Sequence, residues 1–269
     1  MPNLRPALLA LAMLAATTSA RAQGAKPLAK CAPDAVVSGT VCMDTYEASV
    51  WRVPDPTDTN AGLVKKIRLG TATIDELSLA GASALGMAFD DYAPCADNGQ
   101  NCRDDIYAVS VAGAVPAGYI TWFQAQAACA NAGKRLPTNA EWQAAALGTP
   151  DPGPDDGTTD CNTVLTSGQE PTYTGSRSAC RSDDGAYDMV GNMSEWVADW
   201  VQRSTGCDVW SSGISNDMQC FLGAATSGEP GILVRGGNYL SGTSAGPLAI
   251  DGTAAPSLAN IRLGFRCAR

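Results

Sequence analysis

The sequence predicts a single α+β domain with much irregular structure. Two short segments, 121–132 and 138–148, have helical composition and helix-boundary residues. The segment 40–51 has the composition of a β-strand, and the chain beyond residue 160 is rich in Gly, Ser, Asp and Asn and lacks a long helical pattern. No internal repeat or long linker divides the chain. Together, short helices, strand-like segments and turn-rich stretches indicate one α+β domain.

The first 22 residues have the pattern of a secretory signal peptide. Arg5 supplies a positive charge, residues 7–16 form an apolar run, and residues 20–22 (Ala-Arg-Ala) form a small-residue cleavage site. The apolar run is too short to span a bilayer. We therefore expect an exported protein, periplasmic or extracellular, with residues 23–39 as an N-terminal lead and residues 40–269 as a single domain.

The first part of this domain has one clear strand signal. After the β-type segment 40–51, residues 54–62 are rich in Pro, Asp, Thr and Gly, which predicts a loop. Residues 63–115 are poorly patterned and contain Cys95 and Cys102. We expect irregular structure there, held by a disulfide bond.

Two helices are predicted next. Composition predicts the first over 121–132, with Gly133 at its end. Thr138 is expected to cap the second, because Glu141 stands three residues later and the two can form a capping box. Gly148 is expected to end this helix.

Composition argues against several classes of function. The formal net charge is -9, and removing residues 1–22 deletes two arginines and no acid, which makes it -11. An acidic protein gains nothing from counterion release on a phosphate backbone, so we expect no nucleic acid partner. The chain has no histidine. This excludes Ser-His-Asp and Cys-His triads and histidine-ligated metals.

All ten cysteines follow the signal peptide. An even number in an exported chain indicates disulfide bonds, although sequence alone leaves their connectivity open. A metal cluster has no C-x-x-C pair to start from. Eight cysteines fall into local pairs: Cys31 with Cys42, Cys95 with Cys102, Cys161 with Cys180, and Cys207 with Cys220. Cys129 and Cys267 remain.

Four phrases in the second half of the chain are specific in combination. They are Lys134–Thr138 running into Glu141-Trp142, Val190–Trp196 (VGNMSEW), Val234–Tyr239 (VRGGNY) and Leu263–Ala268 (LGFRCA). Together they resemble the formylglycine-generating enzyme (sulfatase-modifying factor) domain family, over roughly residues 40–269. The resemblance implies a large variant of the C-type-lectin-like fold.

The resemblance also implies a pairing for the last two cysteines. The family commonly bonds a cysteine before its Arg-Leu-Pro-Thr helix to the one in Gly-Phe-Arg-Cys, which here are Cys129 and Cys267. In the chain-entropy model, a bond that closes so long a loop stabilises the fold by roughly 4–5 kcal/mol.

A calcium site is a further implication of the resemblance. By position, its ligands would be the carbonyl groups of Val190, Gly191 and Met193 and the carboxylate of Glu195. A tight Gly-Asn turn can bring several oxygens together, as a hard cation requires. The alternative is a plain turn in which Glu195 is hydrogen-bonded to the backbone.

The resemblance argues against the family's best-known reaction. Catalytic members carry two cysteines, five residues apart, after the double glycine, and these bind copper(I) and oxidise a substrate cysteine to formylglycine. Aligned on residues 235–237, these positions are Ser241 and Gly246, and no cysteine lies between Cys220 and Cys267. Copper(I) requires soft ligands such as thiolates. We therefore expect no copper and no such catalysis.

A binding surface is the remaining implication. In C-type-lectin-like folds the C-terminal segment forms an exposed ligand-binding face. Small polar or amphipathic residues typical of adaptable binding surfaces occur in this segment: Asn238, Tyr239, Ser241, Thr243, Ser244, Asp251 and Thr253. We expect a non-catalytic domain that binds a protein, peptide or glycan through this face.

Three alternatives remain open. The first is an oxidoreductase of the formylglycine-generating type that acts on a protein cysteine. The second follows from residues 235–269, which also resemble the variable regions of diversity-generating retroelement target proteins. The third is that the polar residues of this segment form loops over the core without binding a ligand. The sequence indicates neither the ligand nor the oligomeric state.

Overall fold

The computed structural model describes residues 30–151, 155–163, 170–211 and 213–269. The predicted signal peptide and residues 23–29 lie outside these ranges. The helices of the described chain are α1 (Ala61–Arg68), α2 (Ile74–Leu79), α3 (Trp122–Asn131), α4 (Asn139–Ala145) and a 3-10 turn at Gly242–Ser244. The strands are β1 (Ala35–Ser38), β2 (Val41–Asp44), β3 (Ala48–Arg52), β4 (Ser83–Leu85), β5 (Ile106–Ser110), β6 (Ser194–Val201), β7 (Gly206–Val209), β8 (Met218–Leu222), β9 (Gly231–Arg235), β10 (Ile250–Asp251) and β11 (Leu263–Phe265).

The strands form three sheets. β1 and β2 form an antiparallel pair, and β3 pairs antiparallel with both β4 and β5. The largest sheet has the order β11-β6-β9-β10-β8-β7. Within it, β11 runs parallel to β6 and β10 runs parallel to β8, whereas the other pairs are antiparallel. The mixture of short helices and sheets confirms the predicted α+β class.

Alternation along β6 places its buried side chains in two different apolar clusters, because successive side chains of a strand point to opposite faces. Trp196 packs on one face with Ile232, Phe265 and residues of α3 and β3. Val197 packs on the other face with Trp142 of α4. No helix of the described residues combines the length and apolar character needed to cross a membrane.

The capping signals place both predicted helices. The Thr138 hydroxyl accepts a hydrogen bond from the Glu141 backbone N–H, and the Glu141 carboxylate accepts one from the Thr138 backbone N–H, as the capping box predicts. α3 begins with an equivalent box formed by Thr121 and Gln124. Gly133 and Gly148 follow the two helices with positive φ values of 71° and 77°, as residues beyond a helix end often do.

The segment 63–115 is more regular than its composition predicts. It contains most of α1 and all of α2, β4 and β5. Leu63, Val64 and Ile67 form the buried stripe of α1, which is too short to show a repeated period. Thr73 and Glu76 form a capping box at the start of α2, which is a signal that the expectation of irregular structure overlooked.

The folded body also begins earlier than the predicted boundary at residue 40. Residues 35–38 form β1, and Asp34 joins a buried ion cluster. The Lys134 ammonium lies 2.6 Å from both Asp34 and Asp44, and Arg269 also pairs with Asp34 at 2.8 Å. Burial favours a raised pKa for Asp34, but Lys134 and Arg269 together lower it. This cluster joins the two ends of the described chain.

Five disulfide bonds use all ten cysteines, so no free thiol is present. They connect Cys31–Cys42, Cys95–Cys102, Cys129–Cys267, Cys161–Cys180 and Cys207–Cys220. These are the four local pairs and the long-range pair that the resemblance implied. The long-range bond joins α3 to the segment after β11, across 138 residues.

Candidate functional site

A buried ion pair lies behind the C-terminal segment. The Arg266 Nη2 donates to Glu195 Oε1 at 2.7 Å, and its Nε lies 2.9 and 2.8 Å from the two carboxylate oxygens. The Trp142 Nε1 donates to Glu195 Oε2 at 2.6 Å. Both charged residues have 0% exposure. Both oxygens of Glu195 therefore already have strong donors.

Two more buried carboxyl groups lie beside this pair. Glu47 accepts from the Asn192 side chain at 2.5 Å and from the Met193 N–H at 2.9 Å. Asp188 accepts from the Gly175 N–H at 2.8 Å, while its second oxygen is buried without a partner among the described residues. Burial, and the nearby carboxyl groups, raise the pKa of Glu47 well above its ordinary value. Burial also raises the pKa of Asp188 to about 6, although Gly175 and Arg266 oppose it.

These raised pKa values predict that the contribution of Glu47 and Asp188 to stability falls as pH rises. Between about pH 4 and pH 6, the folded protein holds a proton on Asp188 that the unfolded chain has lost. The resulting stabilisation is complete below about pH 4 and is lost as the pH rises through about 6. We expect Asp188→Asn to stabilise the protein at pH 8 by roughly 2–3 kcal/mol. The amide oxygen can still accept from Gly175. Denaturant titrations at pH 4.5 and pH 8 measure the effect.

The control for this prediction is Asp75→Asn, which changes an exposed acid on α2. Because Asp75 lies in the first turn of α2, we expect a loss of stability below about 1 kcal/mol that is equal at both pH values. If Asp188→Asn destabilised the protein equally at both pH values, its main effect would be the loss of a hydrogen bond and not the removal of a charge. The prediction would then be wrong.

Two glycines fold the loop after β9 tightly onto itself. Gly236 and Gly237 have φ values of 84° and 73°, which L side chains rarely adopt. A Cβ atom on Gly237 would lie 2.7 Å from the Cα of Ala245, and one on Gly236 would lie 2.9 Å from the Met189 carbonyl oxygen. The Arg-Gly-Gly phrase therefore fixes the path of residues 238–246.

Within this loop, oxygen atoms surround positions 241 and 246. The Ser241 Oγ accepts a hydrogen bond from the Asn238 N–H at 3.0 Å. A Cβ atom on Gly246 would lie 2.2 Å from the carboxylate of Asp217, which is fully buried. That carboxylate accepts from the Leu248 N–H at 2.7 Å and from the Ser215 hydroxyl. Asp217 therefore fills the space that a side chain at position 246 would need.

A cleft of about 210 Å³ opens beside the loop. Its floor is apolar and comes from Val234, Ala254 and Leu263, while Leu258 stands at its rim with 41% exposure. Its polar lining residues come from four separate segments: Ser194, Asn238, Asp251, Asn260 and Arg262. An apolar floor with a few converging polar groups is the usual composition of a small ligand site.

Comparison with known proteins decides the family. A family model described as "Sulfatase-modifying factor enzyme 1-like domain" matches residues 87–269, well over half of the chain. This chain belongs to the sulfatase-modifying factor family. The resemblance drawn from the four sequence phrases is thereby confirmed.

Individual relatives of this sulfatase-modifying factor domain are distant. Over 158 residues it is 30% identical to serine/threonine-protein kinase pkn1 of Chlamydia caviae, a match that covers 56% of this chain but only 23% of that protein. PvdO from Pseudomonas aeruginosa is 19% identical, with a TM-score of 0.44 over 87% of this chain and 82% of that one. The Major Tropism Determinant M1 variant is 16% identical, with a TM-score of 0.46 over 90% and 54%.

The structure separates the predicted binding residues of this family member into two groups. Asn238 and Asp251 line the cleft. Tyr239 does not fit the predicted exposed face, because its side chain is only 2% exposed and its N–H is bonded to the Asn192 carbonyl. The other predicted residues lie outside the cleft lining: Ser241, Thr243, Ser244 and Thr253. Thr253 supports the site indirectly by donating to Asp251 at 2.6 Å.

Three polar lining residues were missed, although two of them lie within or next to recognised phrases. Ser194 lies inside the Val-Gly-Asn-Met-Ser-Glu-Trp phrase, and Arg262 directly precedes Leu-Gly-Phe-Arg. Their proximity to Asn260 depends on the parallel pairing of β11 with β6, which brings residue 263 beside residue 194. A parallel pair between strands so far apart in sequence leaves no local signal.

Of the predicted calcium ligands, the Glu195 carboxylate already has other partners in the folded chain. Glu195 would have to give up Arg266 or Trp142 to bind a cation. The Val190 carbonyl lies 3.4 Å from Cys180 Sγ. Within the described ranges, no three acidic or cysteine side chains are grouped so that they could hold a metal ion. Calcium binding by the carbonyl groups of Val190, Gly191 and Met193 stays a prediction, and the structure assigns Glu195 a different role.

Proposed function

We propose that this protein is a non-catalytic binding domain that holds a protein, peptide or glycan ligand in the cleft between β6, β9 and residues 251–263. The observation that carries the proposal is the position of the Asp217 carboxylate, which fills the space that a side chain at position 246 would need. This carboxylate occupies one of the two positions at which catalytic members of the family hold a cysteine, while the serine at the other position is hydrogen-bonded within its own loop.

The donor atoms at this place argue against the thiol chemistry of the family. Ser241 and Asp217 offer hard oxygen atoms, whereas copper(I) requires soft sulfur ligands. All ten cysteines are already paired in disulfide bonds. The residues present therefore do not fit a copper(I) centre at positions 241 and 246.

The composition of the cleft supports a binding role. It combines an apolar floor with a carboxylate, a guanidinium, two amides and a hydroxyl group. Such groups fix the orientation of a bound molecule, while the apolar floor supplies contact area. Five disulfide bonds are typical of proteins that mature in an oxidising compartment, which agrees with the proposed export to the periplasm or the cell exterior.

Blocking the cleft tests the proposal. Leu258 stands at the rim with 41% exposure, so Leu258→Trp adds bulk there without disturbing the core. We expect peptide and glycan arrays probed with the mature protein to show ligands whose signal falls about tenfold or more in this variant, because the indole ring excludes them from the cleft.

The matched control is Leu79→Trp on α2, where the leucine is 88% exposed and lies outside the cleft. We expect it to bind like the unchanged protein. If no array signal distinguished the two variants, the cleft would not be the binding site. Copper-dependent oxygen consumption with a cysteine peptide would establish an enzyme instead.

A further inference from the structure

Arg262 lies at one wall of the cleft. Its backbone is held on both sides, because its N–H donates to Asn260 Oδ1 at 2.9 Å and its carbonyl accepts from the Ser194 N–H at 2.9 Å. Its side chain is exposed. Within the part of the chain that the structure describes, no carboxylate lies within 4.0 Å of its guanidinium. Arg262 therefore has an anchored backbone and a charged end with no acidic partner among the described residues.

The hydrogen bonds of the neighbouring side chains decide what they can offer. Asn260 uses its oxygen to accept from Arg262, which leaves its NH₂ group as the remaining donor. The Ser194 Oγ accepts from the Asn238 NH₂ at 3.1 Å, so its own O–H is left to donate. The Asn238 oxygen accepts from the Leu240 N–H at 3.0 Å. Three lining residues, Arg262, Asn260 and Ser194, thus present donors.

The opposite wall carries Asp251, which is the one acidic residue among the described residues that line the cleft. One oxygen of Asp251 accepts from both the N–H and the hydroxyl of Thr253, at 2.7 and 2.6 Å. The second oxygen is left to accept from a ligand N–H or O–H group. Because Asp251 would repel additional negative charge, the cleft suits a ligand that carries a single negative charge.

We infer that the cleft recognises a carboxylate group, bound by the Arg262 guanidinium with Asn260 and Ser194 as supporting donors. This inference rests on the proposed function and names the ligand chemistry of the same site. A guanidinium matches a carboxylate with two parallel hydrogen bonds. The rest of the ligand lies over the apolar floor, with a donor toward Asp251. A peptide C-terminus and a uronic acid both have this chemistry.

Matched pairs of probes test the inference and separate the two sources. The first pair is Ac-Ala-Leu with a free carboxylate and its C-terminal amide, and the second pair is glucuronate and glucose. Saturation-transfer NMR with the mature protein measures binding at low and high salt. We expect the acid of at least one pair to bind about tenfold more tightly than its neutral counterpart. We also expect added salt to weaken this binding.

Arg262→Gln should reduce binding of the acid to the level of the neutral probe. Arg103→Gln is the matched control, because the Arg103 side chain is 94% exposed and lies outside the cleft. The inference is overturned if acid and neutral probes bind equally, if Arg262→Gln binds like the control, or if no acid binds at millimolar concentration. If neutral ligands bound and Leu258→Trp prevented their binding, the proposed function would still hold although the carboxylate inference had failed.

Discussion

Arg266→Met is expected to destabilise the fold by about 3–5 kcal/mol, because removing one partner of a buried ion pair leaves the other charge uncompensated. Arg266 and Glu195 have 0% exposure, and Glu47 and Asp188 lie beside them. The guanidinium also donates to the carbonyl oxygens of Asp44 and Tyr187 at 3.1 and 2.7 Å. Guanidinium chloride titration with the disulfide bonds intact measures the loss.

Two further variants make this prediction specific. Adding Glu195→Gln to Arg266→Met should recover part of the loss, because it removes the unpaired charge while keeping an acceptor for Trp142. Arg262→Met should leave stability nearly unchanged, since that arginine is exposed. If Arg266→Met matched Arg262→Met in stability, the buried pair would contribute little and the prediction would fail.

Replacing both Cys129 and Cys267 with alanine is expected to lower the free energy of unfolding by roughly 4–5 kcal/mol. The bond spans 138 residues, and its loss frees the unfolded chain to explore many more conformations. Both cysteines are fully buried, so the cavity left by the two sulfur atoms adds to the loss. Denaturant titration of the double variant measures the effect.

The comparison for this prediction is the double alanine variant of Cys207 and Cys220, whose bond spans 13 residues. The same entropy argument assigns it roughly 3 kcal/mol. An equal or smaller loss for the Cys129–Cys267 variant would show that loop length does not determine the contribution of this bond.

Local signals explain most of what the sequence predicted about the fold. Thr138 and Glu141 are three residues apart, so their capping box could be recognised without knowledge of the tertiary structure. The same is true of the neighbouring cysteine pairs. α1 could not be recognised in this way, because its buried stripe of Leu63, Val64 and Ile67 is confined to eight residues. The packing of that stripe against β5 stabilises it, and this contact is not local.

The candidate site was harder to predict because long-range contacts create it. Composition indicated a polar C-terminal segment, and two of its residues, Asn238 and Asp251, line the cleft. It did not show that the Tyr239 side chain is buried, since burial depends on contacts with residues distant in sequence. Arg262 and Ser194 meet only through the pairing of β11 with β6. The role of Asp217 depends on a hairpin whose contact with Gly246 leaves no trace in the local sequence.

The structure opposes the introduction of a cysteine pair into this chain at position 246. A cysteine there would meet the Asp217 carboxylate at 2.2 Å, so Asp217 would have to change first. Changing Asp217 first would remove the acceptor for Leu248 and Ser215 while bringing no thiol. Either first step is costly, and a third change at Ser241 would still be needed. A thiol pair at these positions would therefore need three coordinated changes, at Asp217, Ser241 and Gly246.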